Sequence, residues 1–241
     1  MKLSVIVPAF NEERLLPESL QHIRQSLTAF DQRGWQTELI VCDNNSTDRT
    51  AEIARQAGAS VVFEPVNQIS RARNTGAACA TGDWLVFVDA DSFPSPELFD
   101  DVATAIEGGD CLGGGSTVHL ESERLDVRLS VAVWNSLSRR ARWAAGSFMF
   151  CEAAAFRELG GFSETLYAGE ALELSRRLKR LAARWRRSIV ILHRHPLRSS
   201  ARKVRLYGAG ELFLFLLRTI AYGGRTLRSR DACFAWYDGR R

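Results

Sequence analysis

The chain has 241 residues, of which 46% are apolar, 10% aromatic and 25% charged, and this composition excludes a disordered chain, a low-complexity fibre and a disulfide-stapled miniature protein. The length suits one domain with a core of ordinary size. The net charge of +4 hides an asymmetry, because residues 1–175 carry 14 basic against 25 acidic residues (net −11) and residues 176–241 carry 18 against 3 (net +15).

The cysteines and the first residues of the chain indicate the cellular compartment of the protein. Five cysteines, an odd number without a CxxC pair, favour a reducing cytosol. The first apolar run is too short for a signal peptide, and no uncharged stretch reaches the roughly 18 residues that a spanning helix needs. We therefore expect a cytoplasmic protein, either soluble or peripheral at the inner face of a membrane.

Continuous apolar runs predict strands that are buried on both faces of a parallel sheet. They lie at residues 3–7, 38–42, 60–63, 84–88 and 188–192. Between the first four lie helix-length segments, with Asn45 or Ser46 predicted to cap a helix over residues 50–57 and Ser70 to cap one that ends at Ala80. This alternation predicts an α/β fold, in which a mostly parallel central sheet carries helices on both faces.

The second half of the chain is less regular. The Gly-rich residues 111–117 predict a strand or a loop at the edge of a cleft, and a further short strand is predicted over residues 147–151. Helices are predicted over residues 125–143, 152–159, 169–187 and 202–222. In the first of these, one face carries Leu125, Leu129, Val133 and Leu137.

Polar side chains follow three of the predicted strands, at the edge where parallel sheets bind their ligands. The first strand is followed by residues 8–12, the second by Asp43 and the fourth by Asp89-Ala90-Asp91. Because side chains two residues apart in an extended segment point the same way, Asp89 and Asp91 can share one Mg²⁺ or Mn²⁺ ion with phosphate oxygens.

These residues also fit other interpretations. The aspartate pair alone also fits a turn with capping aspartates, but its place after an apolar strand and beside Asp43 favours a cation site. No Gly-rich phosphate loop follows the first strand, which disfavours a dinucleotide dehydrogenase or a P-loop NTPase.

Four segments together resemble the family 2 glycosyltransferases over residues 3–181. They read SVIVPAFNEERLL, ELIVCDNNSTDRTAEIA, SRARNTGAACATGDWLVFVDADSFPSPELF and GSFMFCEAAAFRELGGFSETLYAGEALELSRRLKR. The resemblance implies a glycosyltransferase A-type fold and metal-dependent, inverting transfer from a nucleoside-diphosphate sugar, with Mn²⁺ or Mg²⁺ at the DxD pattern. A UDP-sugar is the first candidate donor and a GDP-sugar the second, and the acceptor is a hydroxyl of a lipid or a glycan.

The resemblance also assigns residues and regions. Donor-binding residues are Pro8, Ala9, Asn11, Glu12, Asp43, Arg73, Asp89, Ala90 and Asp91. Asp89 and Asp91 are the implied metal ligands, and the position of His193 after the last apolar strand makes it a third candidate, the alternative being a structural histidine. We expect one catalytic domain over residues 1–200, with a donor half (1–110) and an acceptor half (111–200), followed by a basic amphipathic tail (201–241).

The expected catalytic base lies at the start of the helix after the GGF loop. The common pattern there is an acidic pair, Glu-Asp, but this chain has Glu170 followed by Ala171. Glu170 is therefore the predicted base, with Glu173, one turn further on, as the alternative. Ion pairing of either carboxylate with a neighbouring arginine is the competing interpretation.

Two other classes of function stay open, a sugar nucleotidyltransferase and a non-catalytic nucleotide-sugar-binding module. Nucleic-acid binding is disfavoured by the acidic body and by the lack of a recognition motif. The basic and apolar residues of 171–187 and 205–222 suit an anionic membrane surface, or else a packed helix with a solvated basic face. Arg202 and Lys203 are predicted to close over the diphosphate as a lid.

Overall fold

A computed structural model describes residues 1–202, 225–233 and Tyr237. Of the helix predicted over residues 202–222, only Arg202 is described, and the lid residue Lys203 lies outside the described residues. The described strands are β1 (Lys2–Ala9), β2 (Gln36–Asp43), β3 (Ser60–Phe63), β4 (Trp84–Val88), β5 (Ser92–Phe93), β6 (Cys111–Leu120), β7 (Phe148–Glu152) and β8 (Ser188–Ser199). The helices are α1 (Leu16–Asp31), α2 (Thr50–Gln56), α3 (Ile69–Ala78), α4 (Pro96–Glu107), α5 (Leu125–Ala141), α6 (Ala153–Glu158) and α7 (Glu170–Arg184), with a 3-10 helix at Arg225–Arg228.

The strands form one mixed sheet in the order β3-β2-β1-β4-β7-β6-β8-β5. The neighbours β3, β2, β1 and β4 all run parallel, and β8 runs parallel to β6. β7 runs antiparallel to both β4 and β6, and β5 antiparallel to β8. The predicted fold class, a mostly parallel sheet with helices on both faces, is confirmed for the described residues.

Helices cover both faces of the sheet because successive side chains of a strand point to opposite sides. Val5 of β1 packs in one buried cluster with Leu20 of α1, whereas its neighbour Ile6 packs in a second cluster with Leu174 of α7. All four side chains are fully buried. Because both faces of these strands are buried, their sequences are continuous apolar runs.

The Gly-rich segment forms β6, a strand between β7 and β8. A Cβ atom on Gly114 would lie 2.0 Å from the carbonyl oxygen of Val190, and one on Gly113 would lie 2.5 Å from that of Phe150. The neighbouring backbones therefore leave no room for a side chain at these two positions.

Two helix starts differ from the prediction. α2 begins at Thr50 without a cap from Asn45 or Ser46, because the Asp48 carboxylate instead accepts hydrogen bonds from the backbone N–H and hydroxyl of Thr50 at 2.9 and 2.5 Å. Ser70 lies inside α3, which begins one residue earlier.

α5 turns the apolar face predicted from its sequence towards solvent. Leu125, Leu129, Val133 and Leu137 are all exposed, while Val127 on the opposite face is buried. Within the described part of the chain, no helix has the length and apolar character needed to cross a membrane.

Candidate active site

The carboxyl ends of β1, β2 and β4 meet at one edge of the sheet, as expected for parallel neighbours. Ala9 at the end of β1 pairs with Asp43 at the end of β2, and Asp89 directly follows β4. A cleft opens at this edge. It is lined by the predicted donor-binding residues Pro8, Ala9, Glu12, Asp89, Ala90 and Asp91, and also by Phe10, Asn44, Asn67, Ile69 and Tyr237.

Asn11 and Asp43, two further predicted donor-binding residues, brace the loops that follow β1 and β2. Asn11 adopts a left-handed backbone (φ 52°), and its Oδ1 accepts a hydrogen bond from the N–H of Thr47 at 2.8 Å. The Asp43 carboxylate is buried and accepts a hydrogen bond from the N–H of Ser46 at 3.1 Å. Neither side chain is among those that line the cleft.

Asn44 shapes one wall of the cleft, and its role was missed from the sequence. Its Nδ2 donates to the carbonyl oxygens of Glu64 (3.2 Å) and Val66 (2.6 Å), and its Oδ1 accepts from the N–H of Gln68 at 2.9 Å. The available signal was its place directly after Asp43 at a strand end.

Arg73 of α3 is fully buried and joins three parts of the chain. Its Nη1 donates to Glu170 Oε1 at 2.5 Å, and its Nη2 donates to Asp89 Oδ1 at 2.7 Å and to the carbonyl oxygen of Gly146 at 2.6 Å. The guanidinium carbon lies 5.2 Å from the ring centroid of Phe162. The sequence predicted a contact from Arg73 to base or phosphate, but this structure directs the guanidinium to carboxylates of the protein.

The two carboxylates stabilise the buried charge of Arg73. Burial by itself lowers the pKa of Arg73, but the charges of Asp89 and Glu170 more than compensate, so that its pKa is raised. Breaking such a buried pair leaves an uncompensated charge and typically costs about 3–5 kcal/mol. One guanidinium therefore holds the aspartate that follows β4 beside the first residue of α7.

Glu170, the predicted base, begins α7 and is almost fully buried. The preceding Gly169 has φ 76°, a left-handed conformation that favours glycine. Among the described residues, the side-chain hydrogen bond of Glu170 engages Oε1 and none engages Oε2. Ala171 packs in the second buried cluster together with Ala144, so a carboxylate in its place would enter an apolar core.

Glu173, the alternative base, is an ion-pair partner. Both its oxygens accept from Arg177, at 2.7 and 2.6 Å. Arg177 also donates to the carbonyl oxygens of Leu159 and Gly161, which ties α7 to the end of α6. The competing interpretation from the sequence, ion pairing, therefore describes Glu173, and it also describes Glu170, whose Oε1 pairs with Arg73.

Arg202, one of the two predicted lid residues, lies against carboxylates of the cleft. It donates two hydrogen bonds to Glu12, at 2.6 and 2.8 Å, and its Nη2 lies 3.4 Å from Asp91 Oδ2. The chain reaches this position because the carbonyl oxygen of Asp91 accepts from the N–H of Ser200 at 3.0 Å.

Asp89 and Asp91 offer carboxylate oxygens to one cleft, a donor set that Mg²⁺ or Mn²⁺ accepts when phosphates and waters complete the shell. Over residues 1–202, 225–233 and Tyr237, no group of three or more His, Cys, Asp or Glu side chains could hold a metal ion by itself. Two carboxylates do not complete a coordination shell, so a cation held by Asp89 and Asp91 would need further ligands, such as phosphate oxygens and waters.

The structure does not bring His193 to this cluster. β8 reaches the aspartates at its far end, where Ser199 pairs with Ser92. His193 lies six residues earlier, roughly 20 Å away along an extended strand, and is exposed. Its neighbour His195 pairs with Asp101 of α4 at 3.0 Å.

Tyr237 contributes to the cleft from near the end of the chain. Its hydroxyl donates to the carbonyl oxygen of Tyr167 at 3.0 Å and accepts from the N–H of Ile69 at 3.3 Å. Burial raises its pKa above the ordinary value. No local pattern predicts this role, because Ile69, at the start of α3, and Tyr167, before α7, are far from Tyr237 in the sequence.

A second cavity, of about 380 Å³, opens at the start of α7. It is lined by Leu166, Gly169, Leu172, Glu173, Arg176, Arg225, Leu227 and Arg228. Because Gly169 directly precedes Glu170, this cavity adjoins the residue predicted as the base.

Comparison with known families decides the classification. Residues 4–159 match the sequence model of the family described as Glycosyl transferase family 2. The chain belongs to this family. The matched segment extends from β1 to α6 and includes the three strand ends that form the cleft.

Two curated relatives of this family 2 member carry specific names. The 4,4'-diaponeurosporenoate glycosyltransferase of Staphylococcus haemolyticus is 40% identical over 96 residues, which are 37% of this chain and 24% of the relative. The dolichol-phosphate mannosyltransferase of Pyrococcus furiosus is 33% identical over 124 residues, 48% of this chain and 33% of the relative. The chain thus matches a third or less of the length of each.

Solved structures share the fold of this family 2 member. TarS of S. aureus (residues 1–349) in complex with UDP-GlcNAc aligns with a TM-score of 0.63 and 20% identity, over 83% of this chain and 58% of TarS. The mannosyltransferase PcManGT of Pyrobaculum calidifontis, in complex with GDP-Man and Mn²⁺, aligns with a TM-score of 0.65 and 18% identity, over 94% of this chain and 62% of that protein.

Proposed function

We propose that this protein transfers a glycosyl group from a nucleoside-diphosphate sugar to an acceptor hydroxyl by metal-dependent displacement with inversion at the anomeric carbon. The observation that carries this proposal is the Arg73 network. Asp89, which lines the cleft, and Glu170, at the start of α7, both accept hydrogen bonds from the guanidinium of Arg73. The proposed donor site and the proposed base are therefore adjacent.

The donor in this proposal lies in the cleft at the ends of β1 and β4. Pro8, Ala9 and Asn44 line the space for the nucleoside, and Asp89 and Asp91 face the diphosphate. The structural neighbours bound to UDP-GlcNAc and to GDP-Man support a nucleotide-sugar donor. A bound Mg²⁺ or Mn²⁺ would neutralise charge on the leaving diphosphate.

Glu170 is the proposed base of the displacement. Its Oε2 takes the proton of the acceptor hydroxyl as the acceptor oxygen bonds to the anomeric carbon and the bond from that carbon to the diphosphate oxygen breaks. Arg73 holds Glu170 through the other carboxylate oxygen, Oε1, and so fixes the orientation of the base. The guanidinium of Arg202 pairs with the carboxylates of Glu12 and Asp91. When the donor binds, it is positioned to pair with phosphate oxygens instead, because the geometry of a guanidinium matches both carboxylates and phosphates.

We propose that the acceptor enters through the 380 Å³ cavity and is the polar end of a lipid. The cavity combines the leucines 166, 172 and 227 with the arginines 176, 225 and 228, a lining that suits a molecule with apolar and anionic parts. The names of the two relatives, which include dolichol phosphate and diaponeurosporenoate, support an acceptor with a long apolar chain.

The proposed location is the cytoplasmic side of a membrane. All five cysteines, which belong to the described part of the chain, are free thiols, as is usual in a reducing compartment.

A thermal-shift panel of UDP- and GDP-sugars with Mn²⁺, Mg²⁺ or chelator tests the donor and the cation together, with released nucleotide and product anomer as readouts of turnover. We expect one donor to stabilise the wild-type protein only when the cation is present, and Asp91→Asn to lose that stabilisation. Turnover should give a product of opposite anomeric configuration to the donor. Stabilisation without any transfer to lipid or soluble acceptors would instead identify a nucleotide-sugar-binding module, and full stabilisation in chelator would remove the cation from the proposal.

A further inference from the structure

The outer face of α5 presents a continuous apolar stripe to solvent. Leu125, Leu129, Val133 and Leu137 follow one another at intervals of four residues and are 76%, 67%, 61% and 47% exposed. We call these four residues the α5 stripe. Contiguous large apolar side chains on a surface usually mark a place of contact with a membrane or another protein.

The stripe cannot turn inwards, because the opposite face of α5 is fixed to the sheet. Val127 and Ser138 are buried there. The side chain of Asn135 donates to the carbonyl oxygen of Val118 at 2.9 Å and accepts from the N–H of the same residue at 3.0 Å. The backbone of β6 thus sets the rotation of the helix, and the outward direction of the stripe follows from it.

Arginines that form no ion pair within the described residues lie on the same helix as the stripe and directly after it. Arg128, Arg139 and Arg140 on α5 and Arg142 after it are exposed, and no ion pair involves any of them within the described residues. The single acidic residue of the helix, Asp126, already pairs with Arg124 at 2.7 Å. The apolar surface is therefore bordered by uncompensated positive charge.

The basic surface continues from the end of α5 onto α7. The Nζ of Lys179 donates to the carbonyl oxygen of Ala141 at 3.2 Å, and the guanidinium of Arg176 lies 5.1 Å from the ring centroid of Trp143. Arg176 also lines the 380 Å³ cavity at the start of α7. Basic side chains thus extend from the α5 stripe to the cavity proposed as the acceptor entrance.

We propose that α5 is an in-plane docking helix that rests on the surface of an anionic lipid bilayer. In that position the α5 stripe enters the boundary between headgroups and acyl chains, and the arginines beside it meet anionic headgroups. A second copy of the chain fits this surface less well, because pairing stripe to stripe would bring two sets of unpaired arginines together.

Docking through α5 would deliver a lipid-borne acceptor to the base, and in this respect the inference rests on the proposed function. Five residues after the end of α5, the carbonyl oxygen of Gly146 accepts a hydrogen bond from Arg73, the side chain that holds Glu170. The segment from the bilayer-facing helix therefore runs directly to the catalytic network.

Co-sedimentation of the full chain with liposomes tests the proposal. The probes are vesicles of phosphatidylcholine alone and of phosphatidylcholine with phosphatidylglycerol in a 3:1 ratio. We expect wild type to bind the anionic vesicles at low salt, and Leu129→Ser/Val133→Ser to bind them at least tenfold more weakly. Each of Arg139→Gln and Arg140→Gln should weaken binding about fivefold. The matched control is Phe63→Ser, which removes an exposed apolar side chain from β3, at the opposite edge of the sheet.

Three results would overturn the proposal. The first is that wild type does not bind anionic vesicles, and the second is that wild type and Leu129→Ser/Val133→Ser bind them equally. The third is that wild type is a dimer by light scattering whereas Leu129→Ser/Val133→Ser is a monomer. Thermal unfolding shows whether the variants are folded, which we expect because the exchanged side chains are exposed. The thermal shift produced by a nucleotide sugar is measured on the same samples. Loss of vesicle binding with an unchanged donor shift separates a failure of docking from a failure of the proposed transfer.

Discussion

The guanidinium of Arg73 and the carboxylate of Glu170 meet at 2.5 Å although 97 positions separate them in the sequence. Both side chains are almost fully buried. A buried charge without its partner is costly, so each of the two residues requires the other. The same guanidinium reaches Asp89 at the end of β4, so the folding of the α3–β4 region and the positioning of α7 are coupled.

The role of Glu170 can be separated from that of Glu173. Glu170→Gln keeps the acceptor of the Arg73 hydrogen bond but removes the proton-accepting carboxylate, so we expect transfer to fall by about 10²–10⁴-fold while the donor-induced thermal shift is kept. Glu173→Gln should lose less than about tenfold, because that carboxylate pairs with Arg177. Initial rates of nucleotide release decide the matter, with the α6 surface variant Glu158→Gln as a control. Near-normal turnover of Glu170→Gln would eliminate it as the base.

The buried ion pair predicts a large coupling energy. Arg73→Met should lower the free energy of unfolding by about 3–5 kcal/mol, because it leaves Asp89 and Glu170 without their shared partner. Combined with Glu170→Gln, it should cost less than the sum of the two single changes by about 1 kcal/mol or more. Urea denaturation of the four proteins measures this cycle. The exposed pair Arg49–Glu52 provides a matched control cycle, with an expected coupling of about 0.5 kcal/mol or less. Additive effects at Arg73 and Glu170 would contradict the coupling.

Arg202→Gln tests the proposed exchange of Arg202 from carboxylates to the diphosphate. We expect the KM for the donor to rise about tenfold, since a charge-assisted hydrogen bond contributes about 1.5–3 kcal/mol. Arg198→Gln is the control, because that arginine lies four residues earlier and pairs with Glu121 on the surface. An unchanged KM in Arg202→Gln, measured beside this control, would show that Arg202 does not contact the donor.

Glu38 links the stability of the fold to pH. Partial burial raises the pKa of Glu38, but hydrogen bonds from Ser4, Lys2 and Thr81 act more strongly and lower it to about 2. Because the pKa of the folded state lies below that of the unfolded chain, this carboxylate stabilises the fold above pH about 4.5, and the stabilisation is lost as the pH falls towards 2.

The comparison of wild type with Glu38→Gln measures this contribution. We expect wild type to be more stable by about 2 kcal/mol near neutral pH and the difference to shrink steadily between pH about 4.5 and about 2, as followed by urea denaturation. A difference that does not change with pH would assign the effect of the substitution to packing.

Much of the region from β1 to β4 could be predicted from the sequence, because its signals are local. Apolar runs marked β1 to β4, and chain order alone placed Asp43 and Asp89 at the same edge of a parallel sheet. The motifs added the family, which the match over residues 4–159 confirmed. The donor-binding, metal and base assignments stay predictions, as do the proposed domain halves.

Helix caps and loop residues were predicted less well. Asn45 and Ser46 follow a strand and are typical cap residues, but Asp48 lies nearer to the first turn of α2 and takes the hydrogen bonds. Asn11 and Asp43 carry polar groups that suit a ligand, and the structure uses those groups to brace the loops.

The sequence by itself determined that the acidic residues at the strand ends meet at one edge, because the direction of parallel strands settles it. Only the tertiary structure decided that Arg73 joins Asp89 to Glu170, that His193 lies far from the aspartates, and that the α5 stripe faces outwards. These three features depend on which helices and strands pack together across the sheet. The spacing of residues within one segment does not determine that packing.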